Sequence, residues 1–423
     1  MNNVSAHRAF SFLRTYGYER VSCSKEERTV AEALLNECTS LGVSAQLEEF
    51  TVPCGRVSHA LLRVTSPYAK EYEVTGYERA ASTPEGGLDT EFLYVENADE
   101  VLLEQAKSKI VLVNGYLNRA TYEKLRKAEA AAILTFTGRT IDRESESDLN
   151  RCKLRETLTE PFGAIPVLNM RAASAAEIVR RGAKTVHIEL TGECYDGTSQ
   201  NVCATIPGTD KPSEVITLGG HYDSVYFSSG VHDNLSGSVI VLELLRYFAA
   251  HPPRRTLRFC WFGSEEQGLL GSKAYVKAHA DELKDCVAML NFDVAAPTLG
   301  SNHLVTLATD DALHYVAGVL REAGYGVRAK QDTYSSDCIP FADNGVPAIN
   351  LARFGANGAD YMHNRHDSLK SGYLDEHALD ITLQQGFVLL ARLANAASFP
   401  IKREIAPEIR QKVDEYLFKA KKE

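Results

Sequence analysis

From about residue 200 to 398, short, mostly apolar runs alternate with longer stretches of helical spacing. Residues 215–219, 256–262, 287–292, 303–308 and 348–351 read as strands, and 235–250, 270–280, 311–323 and 374–397 as helices. Strands without polar alternation are buried on both faces. The pattern therefore predicts an α/β fold, a mostly parallel sheet sandwiched by helices. Residues 1–66 read as helix, turn, helix, strand: 30–41 has helical spacing, Gly42 stands in the usual stop position, and 45–52 alternates. Between 67 and 195 the elements shorten. Strands are expected at 91–94, 110–114, 132–136, 165–168 and 185–190, helices at 122–132 and 172–181, and a polar run, 139–155, interrupts them. We expect one domain from 1–66 and 196–400, a small inserted α/β domain at 67–195, and a charged tail at 401–423 with a peripheral amphipathic helix over 407–418.

With 423 residues the chain is too long for one typical core, and 44% hydrophobic and 24% charged residues suit a globular protein. A net charge of -10 argues against nucleic acid or an anionic membrane as the main partner. No run reaches ~18 apolar residues, so no membrane span is expected. Residues 1–9 lack a basic stretch followed by an apolar one, so no signal peptide is expected either. The nine cysteines include no CxxC pair, and several, such as Cys260, lie in apolar runs. They read as reduced core residues of a cytoplasmic protein rather than as metal ligands.

Several imidazoles and carboxylates fall just after expected strands, where ligands gather in a doubly wound sheet. His221 has Asp223 two residues on, able to accept the other ring N–H or simply to cap a loop. Asp233 opens a helix, as an N-cap does, but near His221 it reads better as a carboxylate offering one oxygen to each of two cations. Glu265-Glu266 follows Trp261-Phe262-Gly263, so two solvated surface acids fit poorly. One can ligate while the other stays free as a general base for water. Asp293 ends another expected strand, and His363 sits in a polar loop. His232, His303 and His366 read as spare imidazoles.

Five stretches carry a family resemblance: 220–224, 230–237, 263–272, 291–293 and 363–368. In order and spacing the chain resembles the co-catalytic dizinc metallopeptidases, which include bacterial aminopeptidases, glutamate carboxypeptidase and glutaminyl cyclase. The resemblance implies two Zn²⁺, with Co²⁺ or Mn²⁺ as possible substitutes. It implies His221 and Asp293 on one ion, Glu266 and His363 on the other, and Asp233 bridging. Glu265 is implied as the general base toward a water shared by the ions, with Asp223 and Asp367 supporting the ligands. Residues 67–195 resemble a protease-associated insert. Two departures stand out. Tyr361 lies two positions before His363, where many members place Tyr directly before the ligand, and Ser336-Asp337-Cys338 replaces a common Ser-Asp-His.

The expected activity is that of an aminopeptidase acting on peptide N-termini. The alternative, a carboxypeptidase or dipeptidase of the glutamate type, needs a cationic clamp, for which Arg353 and Arg365 are candidates. Tyr361, Arg353 and Asp337 are the candidate substrate contacts. Glutaminyl cyclase activity, which uses one zinc, and a non-catalytic binding role both fit a complete ligand set less well.

Overall fold

The computed structural model describes residues 4–115, 117–143 and 149–419. The first three residues of the stretch read for a signal peptide, 144–148 of the polar run, and the last four residues of the tail lie outside the described residues. The chain divides into two compact units, Met1–Val52 with Thr198–Glu423, and Pro53–Gly197.

In the first unit, four strands at the sheet centre are parallel. Arg255–Phe262 pairs with Lys211–His221, which pairs with Cys286–Phe292, which pairs with Ala348–Gly355. Gly300–Leu307 joins Ala348–Gly355 antiparallel and carries Arg328–Gln331 at the edge. At the other side, residues 202–206 pair antiparallel with Arg255–Phe262. Helices cover both faces. Ala6–Tyr16, Lys25–Ser40, Ser236–Ala250, Asp310–Glu322 and Glu376–Asn395 close one core around Phe248, Phe259 and Phe292. Leu270–Ala278, Cys338–Asp343 and Pro407–Tyr416 close the other around Phe262, Tyr275 and Phe341. Each fully buried aromatic or aliphatic side chain of these cores contributes roughly 1.5–3 kcal/mol relative to exposure.

One glycine lets a helix approach the sheet. Gly237, in the first turn of Ser236–Ala250, has the Phe292 carbonyl so close that a Cβ would lie 2.1 Å from its oxygen. Only a residue without Cβ lets this helix start against the strand that ends before Asp293.

The second unit is a smaller sheet. Leu88–Tyr94, Ile110–Leu112, Ala132–Thr137 and Val167–Arg171 run parallel in that order, with Val74–Gly76 antiparallel at the end. Helices Arg119–Lys127, Glu156–Phe162 and Ala172–Arg180 belong to it, with a core on each face of the sheet. Glu156–Phe162, directly after the polar run, was not legible: it is short and contains Pro161. The compact unit begins at Pro53, earlier than the expected boundary at 67. Ser44–Ser66 is one continuous strand, and its second half pairs with Lys70–Tyr72. Hydrophobic patterning cannot place a boundary inside an unbroken strand.

Candidate metal centre

The parallel strands bring their carboxyl ends to one edge. His221 is the last residue of Lys211–His221, in register with Phe262. Asp293 directly follows Cys286–Phe292. Glu265 and Glu266 lie in a one-turn 3₁₀ helix after Arg255–Phe262, and Asp233 in the turn Val231–Leu235 that opens helix Ser236–Ala250. His363 comes from the loop after Ala348–Gly355.

Two trios of ligand-type groups result, His221/Asp233/Asp293 and Asp233/Glu266/His363, each with its donor atoms within 4.8 Å of one another. Asp233 belongs to both, and its two oxygens divide. Oδ1 lies 3.1 Å from His221 Nε2, and Oδ2 lies 3.0 Å from His363 Nε2. His363 Nε2 is also 3.2 Å from Glu266 Oε2, and His221 Nε2 is 3.7 Å from Asp293 Oδ1. Tetrahedral ligation with bonds near 2.0–2.1 Å puts donors about 3.3 Å apart, so these spacings fit such an ion. Glu265 joins neither trio; its Oε2 stands 3.9 Å from His221 Nε2. His221, Asp233 and Asp293 are buried, while His363 is 59% exposed at its side chain and marks the open side.

Two supporting carboxylates hold the ligand loops by their backbones. Asp223 accepts hydrogen bonds from the Glu265 and Glu266 amides at 3.0 and 3.2 Å, and its Oδ1 is 3.3 Å from His221 Nδ1. Asp367 accepts from the His232 and Asp233 amides at 2.7 and 3.0 Å. Asn234 links the Asp233 turn to Asp293: its amide donates to the Phe292 carbonyl at 2.8 Å, and its oxygen accepts from Val294 N at 3.1 Å. Ser264, Val294 and His363 all hold positive φ, near 54°, 63° and 60°. Such conformations cost ~1–3 kcal/mol each and persist only where the surroundings impose them.

Charge is crowded here, and the cluster fits a divalent cation. Burial opposes a cation at His221, yet Glu265, Asp223, Asp233 and Asp293 raise its pKa well above the ordinary value. Glu266 above all pushes His363 up to about 12. Burial raises Asp233, but His221 and His363 overcome it and hold this carboxyl low. Burial raises Glu265, Glu266 and Asp293. Protons on two imidazoles thus supply the positive charge that buried carboxylates require. Metal ions of borderline softness take the same N and O donors.

Two residues not singled out from the sequence complete the support. Arg20 is fully buried and donates to the carbonyls of Tyr222 at 2.6 Å, Ser229 at 2.7 Å and Gly230 at 2.8 Å, fixing the loop between His221 and Asp233. Burial lowers its pKa to about 10. Glu27 accepts from Ser264 N at 3.2 Å, Cys23 N at 2.7 Å and the Ser199 hydroxyl at 2.7 Å, and burial raises it to about 8. Ser24 caps helix Lys25–Ser40 by accepting from Glu27 N, so Ser24-x-x-Glu27 also reads as a capping box, which hides the second role. Arg20 has no sequence signature. Arg20→Met leaves several buried carbonyls without a donor and is expected to lower stability by on the order of 3 kcal/mol in urea unfolding. A loss below ~1 kcal/mol contradicts this.

The candidate substrate contacts lie as follows. Tyr361 donates its hydroxyl to the Gly358 carbonyl at 2.7 Å and packs edge-on to Tyr373. Arg353 spends its guanidinium on Pro297 O at 3.0 Å, Asn302 Oδ1 at 2.9 Å and Thr298 O at 3.3 Å. Asp337 is fully buried at the start of Cys338–Asp343, and burial raises it to about 7. His232, His303 and His366 join neither trio.

Residues 201–384 match the model of Peptidase family M28. Every member of both trios lies inside that match. The chain is 26% identical over 405 residues to aminopeptidase YwaD of Bacillus subtilis, covering 92% of this chain and 83% of that protein. It is 27% identical over 291 residues to mouse carboxypeptidase Q, covering 66% of this chain and 62% of that one. Two other bacterial relatives are matched over less than half of their own length. The fold is that of a zinc aminopeptidase from Bacillus subtilis, with a TM-score of 0.79 over 96% of this chain and 100% of that one at 21% identity. With this match and an aminopeptidase relative aligned over most of its length, the chain is a hydrolase of peptide bonds. No helix of the described residues is long and apolar enough to cross a membrane.

Proposed function

We propose that this peptidase is a zinc aminopeptidase that removes N-terminal residues from peptides at a site for two Zn²⁺. The observation that carries the reading is the division of Asp233, one oxygen facing each trio, with Glu265 outside both. Two divalent cations bound there supply Lewis acidity toward the scissile carbonyl and make water acidic. His221 and Asp293 would hold one, Glu266 and His363 the other, and Asp233 both. Glu265 takes the proton from the attacking water and returns it to the leaving amine. Asp223 keeps the two glutamates apart in role by fixing consecutive amides, so that one carboxylate turns to the ligand cluster and the other stays beside it.

Selection of an N-terminus over a C-terminus is supported by the relative matched over most of the chain and by the state of Arg353. Carboxypeptidase action needs a cation aimed at the terminal carboxylate, and the Arg353 guanidinium is engaged by Pro297, Thr298 and Asn302. The unit Pro53–Gly197, which resembles a protease-associated insert, contributes no member of either trio among the described residues. None of the nine cysteines is joined in a disulfide among the described residues, which suits work in a reducing compartment such as the cytoplasm. Fractionation that finds the protein outside the cell overturns that last point.

Dipeptides with a free α-amino group are expected to be cleaved, and their N-acetylated counterparts and chelator-treated samples to show at least a hundredfold lower kcat/KM. Preferential cleavage of N-blocked dipeptides overturns the aminopeptidase reading in favour of a carboxypeptidase.

A further inference from the structure

His363 supplies a ligand group from a loop without regular structure, and a ligand of this kind is only as well placed as the loop that carries it. The loop is tied down on both sides of His363, and both ties meet at one residue. On the far side, Asp367 accepts the His232 amide at 2.7 Å, and Tyr373 donates its hydroxyl to Asp367 at 3.4 Å. On the near side, Asp360 Oδ1 lies 3.5 Å from His232 Nε2. The other Asp360 oxygen accepts the Gly355 amide at 3.0 Å, at the end of strand Ala348–Gly355.

The His232 ring is fully buried and meets the Tyr373 ring edge-on at 6.1 Å. Among the described residues neither of its nitrogens nor Asp360 Oδ1 has a hydrogen-bond partner. Their mutual approach, an ion-pair contact at 3.5 Å and longer than a hydrogen bond, is the polar contact these atoms make. A buried imidazole and a buried carboxylate oxygen both need a polar neighbour, and separating them leaves two unsatisfied groups. His232 also directly precedes Asp233, whose Oδ2 faces His363.

We propose that His232 and Asp360 form a latch that sets His363 against Asp233 and Glu266, and so fixes the affinity of one of the two cation positions and not the other. The proposal rests on the two-cation reading above. His232 and Asp360 are positioning residues: they act through the loop and touch no substrate. The two ligand groups that belong to the other position alone sit at strand ends, since His221 ends Lys211–His221 and Asp293 follows Cys286–Phe292, and neither depends on the loop that carries His363.

The test titrates metal-free protein with Zn²⁺ against a chromophoric chelator of known affinity, for wild type, Asp360→Asn, His232→Phe and His363→Ala. Asp360→Asn is expected to weaken one equivalent about 10- to 100-fold and to leave the other within about twofold, as loss of a group supporting a metal ligand does. The unfolding midpoint of its metal-free form stays within a few degrees of wild type. His363→Ala loses the same equivalent, and adding Asp360→Asn to it changes nothing further. His232→Phe keeps the ring volume without the nitrogens and is expected to reproduce Asp360→Asn; should it not fold, Asp360→Asn decides alone. Equal weakening of both equivalents, no weakening of either, or a further loss in the His363→Ala background overturns the latch. A single equivalent in wild type overturns the two-cation reading beneath it.

Discussion

Glu265→Gln is expected to lower kcat by about two to four orders of magnitude while bound metal stays near the wild-type value. The substitution keeps the shape of the side chain and its capacity to hydrogen-bond, but an amide oxygen does not accept the proton that must leave water. Metal content is spared because Glu265 lies outside both trios, 3.9 Å from His221 at its nearest. Its amide bond to Asp223 is a backbone contact and survives the change. Glu266→Gln behaves differently. Glu266 faces His363 at 3.2 Å within a trio, so metal occupancy falls together with activity. Side-by-side metal content and kcat for the two variants decide the matter. Loss of metal in Glu265→Gln with retention in Glu266→Gln exchanges the two roles, and a fully active Glu265→Gln refutes the mechanism.

Asp233→Ala is expected to have the larger effect, with both cations weakened at once and activity reduced at least a thousandfold. The other ligand groups belong to one trio each, whereas Asp233 belongs to both. Loss of even a supporting contact typically costs 10- to 100-fold in metal affinity, and a shared ligand removes a first contact from two ions together. The metal-free cluster loses part of its compensation too, since the carboxylate lies between His221 and His363 and adds to the larger effects of Glu265 on the first imidazole and Glu266 on the second. His221→Ala, by contrast, is expected to deplete mainly one ion. Zinc binding by both variants is read by equilibrium dialysis. Retention of one tight equivalent in Asp233→Ala contradicts a shared carboxylate.

The parts of this site legible in the sequence are those dictated by strand ends. His221, Glu265, Glu266 and Asp293 follow runs whose mostly apolar character marks them as central strands, and central parallel strands deliver their following residues to one edge. Asp233 and His363 come from a turn and a loop, whose positions patterning does not constrain: Asp233 was read as a bridge from its nearness to His221 in the sequence, and His363 gained a ligand's role only from the family resemblance. Arg20 and Glu27 were out of reach. Each acts through backbone groups of distant loops, Arg20 on the carbonyls of 222–230 and Glu27 on Ser264, and contacts between residues some two hundred positions apart leave no periodic trace. The compact unit starts at Pro53, inside strand Ser44–Ser66, and an unbroken strand carries no pattern that marks such a point.

The most direct measurement of the central claim is the number of zinc ions bound by metal-free protein at saturation, found by elemental analysis after removal of free ion. Two trios that share Asp233 predict two equivalents per chain, with peptidase activity restored as they fill. A firm value of one equivalent at saturation contradicts the account.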